Sequence, residues 1–161
     1  MKKYIIIIAL TMGLHAQIPN EYKSLSYVAY DYIDQKQHSS AMDLFENMLI
    51  VSISRNDTDM HYRINNTMSS LALISNQREL QSRAYQHMQT TPFEKRDAKY
   101  YWLVTKLSQK LTNTIFPANL YHIAMCRKAV ENNETTYLKK CENQYYFLNN
   151  FFQNIEKKEQ K

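Results

Sequence analysis

Apolar residues recur every three to four positions along most of this chain, and short polar breaks separate the runs. Beyond position 20 the pattern predicts seven helices, over about 21–35, 40–53, 59–74, 77–89, 92–111, 118–132 and 136–156. The strongest breaks are at 54–59, Thr90-Thr91-Pro92 and Phe116-Pro117. Asn20, after Pro19, is placed to cap the first helix. Asn76 and Glu79 have the spacing of a capping box at the fourth. Thr91, Pro92 and Glu94 supply a cap, a first-turn proline and an acidic third position for the fifth. Links this short favour antiparallel neighbours, so the expected architecture is a series of helical hairpins.

The first sixteen residues follow another pattern. Lys2 and Lys3 precede an apolar run from Ile5 to Leu14, and Ala16 offers a small residue before Gln17. Charge, short apolar core and small residue in that order are the pattern of a secretory signal peptide. The run is shorter than the roughly 20 apolar residues a membrane-spanning helix needs. The chain is therefore expected to be cut near Ala16, to be periplasmic or secreted from a bacterium, and not to span a membrane after cleavage. The expected organisation is a signal peptide over 1–16, one helical domain over 17–156 and a basic tail over 157–161.

Composition sharpens the fold class to all-α. The single glycine is Gly13, inside the expected signal peptide, and the three prolines are Pro19, Pro92 and Pro117. A mature chain without glycine is poorly supplied for the positive-φ turns of β-hairpins. Removing Lys2 and Lys3 takes the formal net charge from +5 to +3. That excess is spread along the chain rather than gathered on one face, which argues against nucleic acid as a partner. Twelve of the thirteen tyrosines lie beyond the expected signal peptide and suit helix–helix contacts, with ring inside and hydroxyl toward water.

Leu25, Val28, Ala29, Tyr32, Ala41, Phe45 and Leu49 keep the spacing of a helical repeat. Leu25 is the large residue opening helix A, with Ala29 and Tyr32 four and seven positions on. Ala41 and Phe45 are the small and aromatic pair of helix B. In this the chain resembles the tetratricopeptide repeat family. Lys36 stands at the interhelix turn, where that family often has glycine. A weaker match follows through Ile64, Met68, Leu71, Ser75, Leu80, Ala84 and Pro92, at a period near 39 residues instead of 34. The resemblance covers 22–92 and implies a right-handed solenoid; an irregular helical bundle is the alternative. It also implies a binding surface along the A helices. Tyr22, Tyr30, Lys36 and Arg63 are its expected exposed contributors by helix phase.

Cys126 and Cys141 lie on either side of the 132–135 link, about equally far from its midpoint. In an antiparallel hairpin that places them at one level, where a disulfide can form. Export would carry them through an oxidising compartment. His122 stands one helical turn from Cys126, so a metal site is a weaker alternative, one that lacks a nameable fourth ligand. Glu131-Asn132-Asn133-Glu134-Thr135 resembles the extended acceptor sequence of bacterial N-glycosylation. Asn133 is the candidate; Asn56 and Asn65 fit only the shorter sequon.

His38, His61 and His87 are scattered, no serine sits in a glycine-framed turn, and Asp57 and Asp59 read as helix-start residues. No catalytic residue, metal or cofactor is expected. The expected function is a non-enzymatic module for protein–protein interaction or envelope assembly. Alternatives are a structural part of a secretion, pilus or motility apparatus, and a secreted effector or small hydrolase. Leu138, Cys141, Tyr145, Leu148, Phe152 and Ile155 form an apolar seam, widened by Tyr146, Phe147 and Phe151. The seam is expected to be buried, with a partner or self-association surface as the alternative.

Overall fold

A computed structural model describes residues 20–112 and 116–141. The expected signal peptide, most of the expected last helix and the expected basic tail lie outside the described residues. Within them the chain is all-helical, with no strand. The α-helices are α1 (Asn20–Asp34), α2 (His38–Ser54), α3 (Thr58–Ser75), α4 (Arg78–Gln89), α5 (Ala98–Leu111) and α6 (Phe116–Glu131). A single 3-10 turn, Phe93–Lys95, precedes α5, and a seventh helix, α7, begins at 135. The described residues up to Lys95 form one compact unit and those from Arg96 a second, so the described part of the expected 17–156 domain comprises two packed bodies.

The turns explain how a glycine-poor chain makes hairpins. Lys36, Asn56, Asn76 and Asn133 all take the left-handed conformation, with φ between 54 and 62°. Asparagine tolerates that region better than most residues with a Cβ. Lys36, where the repeat family often has glycine, adopts it at φ 62°. The N–H groups of Gln37, Asp57 and Glu134 each reach back five residues, to the carbonyls of Tyr32, Ser52 and Ala129, at 2.8–2.9 Å. These bonds satisfy carbonyls that the helix ends would otherwise leave open. The first three left-handed residues recur every twenty positions, giving helices of similar length.

Side-chain caps start two of the helices. Asp57 accepts from the Met60 N–H at 3.0 Å, and Asp97 from the Tyr100 N–H at 2.8 Å. Each cap contributes about 1 kcal/mol. The fifth helix therefore begins at Ala98, not at Pro92. The Thr91 hydroxyl is committed elsewhere, accepting from Asn65 at 2.8 Å, and the Asp97 carboxylate takes the capping role. Asn76 likewise closes α3 in the left-handed conformation instead of opening α4, which Gln77 precedes.

In the first unit α1 packs on α2, α2 on α3 and α3 on α4. Ala29 and Ala41 are fully buried, which allows α1 and α2 to approach closely. Met42, Phe45, Met48 and Leu49 of α2 are buried, as are Met60, Ile64, Met68 and Leu71 of α3 and Leu80, Ala84 and Met88 of α4. The unbranched methionines fill the irregular gaps between helices of unequal side-chain size. In the second unit α5 packs on α6 through Ala98, Met125 and Ala129, with Tyr101, Trp102, Tyr137 and Leu138 around them.

Candidate functional site

The two chemistry-bearing clusters belong to different units. In the first, Glu46 of α2 receives Arg83 of α4 in a two-pronged contact, Nε to Oε1 at 2.9 Å and Nη2 to Oε2 at 2.7 Å. His87 Nε2 lies 2.9 Å from the same Oε1, and Asp43 also pairs with Arg83. The Arg83 hydrogen bond is the main cause holding the Glu46 carboxyl below its usual range; burial opposes it, and His87 assists. The arrangement is a strut from α2 to α4. Below it, His61 Nε2 meets the Thr90 hydroxyl at 2.9 Å. Burial first, and the charge of His87 second, lower the His61 pKa. Asn65 Nδ2 donates to the His87 carbonyl at 2.9 Å as well as to Thr91. These side chains close the C-terminal end of α4 against α3.

The neighbouring Asn66 is buried, and neither atom of its amide has a protein hydrogen-bond partner among the described residues. Leaving such a group dry and unpaired costs about 1–3 kcal/mol. Asparagine is usually exposed, so the periodicity of the sequence does not mark Asn65 or Asn66 as core residues.

In the second unit Cys126 and Cys141 are at disulfide distance, with Cα atoms 5.7 Å apart and a sequence separation of fifteen. This is the pairing expected from their placement about the turn. His122 is 8% exposed, and its Nε2 lies 3.5 Å from Cys126 Sγ. The His122 nitrogen and both sulfurs fall within 4.8 Å of one another. Burial, then the charge of Lys106, lowers the His122 pKa. Beside this cluster Lys140 Nζ sits 4.0 Å from the Trp102 ring centroid and 4.7 Å from that of Tyr137, held by cation–π attraction. Burial pushes the Tyr137 hydroxyl up to about 12.

The far side of α6 differs from an ordinary solvent face. Leu120, Ile123 and Val130 are 54%, 58% and 69% exposed and share one stripe, opposite buried Ala118, His122, Met125 and Ala129. Arg127 lies between them, paired with Glu131 at 2.8 Å. The three aliphatic side chains form an apolar row on a helix whose other face is already packed.

The sequence-expected contributors to partner binding are not all at the surface. Tyr22 is fully buried with Ser26 and Ala29, because positions 22, 26 and 29 form one inward face of α1. Tyr30 is half-buried and meets Phe45 edge-to-face, with ring centroids 6.1 Å apart. Burial raises its hydroxyl to about 12. Arg63 is half-buried and Lys36 is exposed in its turn. Of the repeat-packing positions, Ala29, Ala41 and Phe45 are buried, while Leu25 and Tyr32 are intermediate. Asn133 is exposed in the α6–α7 turn, Asn56 is exposed in its own turn and Asn65 is fully buried. No helix among the described residues is long and apolar enough to cross a membrane. No protein-family model, curated protein or solved structure matches this chain.

Proposed function

We propose that this protein is an exported, non-enzymatic helical-hairpin module of tetratricopeptide-like type that binds a segment of another protein. The observation that carries the proposal is the aliphatic row Leu120, Ile123 and Val130 on α6. Aliphatic side chains aligned on one exposed helix face are the usual mark of a protein contact. The hairpin that presents the row is fastened by the Cys126–Cys141 pair, which limits the entropy lost on binding. The repeat reading is supported by helices that pack on their sequence neighbours, and by Ala29 and Ala41 at the closest approach of α1 and α2. The export reading rests on Lys2, Lys3, the apolar run to Leu14 and Ala16. A cysteine pair at disulfide distance accords with an oxidising destination. Exposed Asn133 is then positioned for modification by an exported-protein glycosyltransferase.

The test is a variant carrying Leu120→Ser, Ile123→Ser and Val130→Ser. It should keep the helical circular-dichroism spectrum and lose the stoichiometric partner that the unaltered protein retains from periplasmic extract. Equal retention by both proteins, or an unaltered protein that stays a solitary monomer, overturns the proposal. N-terminal sequencing of the exported chain should read from near Gln17.

A further inference from the structure

The cluster of His122, Cys126 and Cys141 has a second chemical state. We infer that, with the cysteines reduced, these three residues form a binding site for one Zn2+ ion. His122 and Cys126 are four apart on α6, so both side chains emerge from the same face of the helix. Cys141 approaches from α7 across the 132–134 turn, and all three ligand atoms lie within 4.8 Å of one another.

The distances suit the ion. Zinc bonds of about 2.3 Å to sulfur and 2.0 Å to imidazole nitrogen, at a tetrahedral angle, set nitrogen and sulfur roughly 3.6 Å apart. His122 Nε2 and Cys126 Sγ are already 3.5 Å apart. Two zinc-bound sulfurs stand about 3.8 Å apart by the same geometry. With Cα atoms at 5.7 Å, side-chain rotation reaches that spacing without moving either helix. Charge fits as well. Two thiolates neutralise the dication, so the half-buried site holds no net charge. Three protein ligands leave the fourth position to water or to an incoming group.

The chemistry balances in two steps. A dithiol reductant delivers two electrons and two protons to the Cys126–Cys141 bond and becomes a disulfide itself. Zinc then displaces the two thiol protons and takes both sulfurs and the His122 nitrogen. The disulfide and metal forms exclude each other, because each sulfur becomes a thiolate donor only after two electrons have broken the bond between them.

The experiment uses the full chain, reduced with a phosphine under anaerobic conditions and titrated with Co2+ as a spectroscopic stand-in, followed by Zn2+. One equivalent of Co2+ should bind, with a sulfur-to-cobalt charge-transfer band and the visible bands of a tetrahedral site. Cobalt binding should release two protons, and zinc should then bleach both sets of bands by displacing the cobalt. The oxidised protein should give no band. Cys126→Ser and Cys141→Ser should each lose most of the charge-transfer intensity. His122→Ala should bind roughly tenfold more weakly or worse, about 1.4 kcal/mol or more. Equal affinity in the His122→Ala protein overturns the assignment, because two thiols alone would then suffice. Failure of the reduced, still-helical protein to bind cobalt also overturns it. If reduction melts the second unit, recovery of its helical signal on adding zinc supports the site, and no recovery refutes it.

Discussion

Removing the covalent link between α6 and α7 gives the most quantitative check on this structure. The perturbation is the double replacement Cys126→Ala, Cys141→Ala, or reduction of the unaltered protein in the presence of a chelator that keeps metal away. The link closes a fifteen-residue loop. In the chain-entropy model a loop of that size stabilises the folded state by about 3 kcal/mol. The cysteines border Ala98, Met125 and Ala129, and sulfur loss there adds a small packing penalty. For a unit the size of Arg96–Lys161, 3 kcal/mol corresponds to a fall in Tm of roughly 12–24 °C. The assay is thermal denaturation followed by circular dichroism and by Trp102 fluorescence, with and without reductant. Trp102 lies in the second unit and packs at this cluster, so its signal isolates the change. A Tm that moves by less than about 3 °C, worth under 1 kcal/mol, would refute the pairing or the loop argument.

Replacing the unpartnered buried amide in Asn66→Leu should raise stability by about 1–2 kcal/mol, read by urea denaturation; a loss would mean that the amide has a partner outside the protein. Lys36→Gly should stabilise by roughly 0.5–1 kcal/mol, because relief of the left-handed Cβ clash exceeds the extra flexibility of glycine in the unfolded chain. The Glu46 pKa is depressed in the folded protein, so its contribution is full above about pH 4.5, the unfolded value, and is lost as pH falls through the folded value. Glu46→Gln should therefore cost about 1–2 kcal/mol at pH 7 and flatten the acid limb of a Tm-versus-pH curve. His61 is also depressed, so the folded protein holds fewer protons there than the unfolded chain just below pH 6.5. Stability should decline as pH drops from 6.5 toward the folded value, and a proton titration by NMR should place the His61 midpoint below 6.5.

Much of the fold could be read from the residues themselves. The helices follow three- and four-residue apolar steps, and their breaks fall near Asn56, Asn76 and Asn133, which tolerate left-handed geometry. The cysteine pair was legible because 126 and 141 straddle one turn symmetrically, a relation independent of side-chain detail. The start of α5 was not, because Thr91 and Asp97 are both competent caps. Only the contact with Asn65, twenty-six residues earlier, removes Thr91 from that role. Tyr22 shows a similar limit. Tyrosine suits either surface or core, and helix phase gives a face without saying which neighbour covers it. The polar struts of Glu46, Arg83, His61 and Asn65 join residues 22 to 41 positions apart, beyond any local pattern. The α6 row was hidden for another reason: Leu120, Ile123 and Val130 look like core residues on a helix that already has a second apolar face.

That row decides the account. A photo-crosslinking residue at Ile123, in the full chain expressed in its own cells, should give one discrete product heavier than the protein itself. The same residue at Gln86, exposed on α4 of the other unit, should give none. A product from both positions, or from neither, would contradict the binding face proposed on α6.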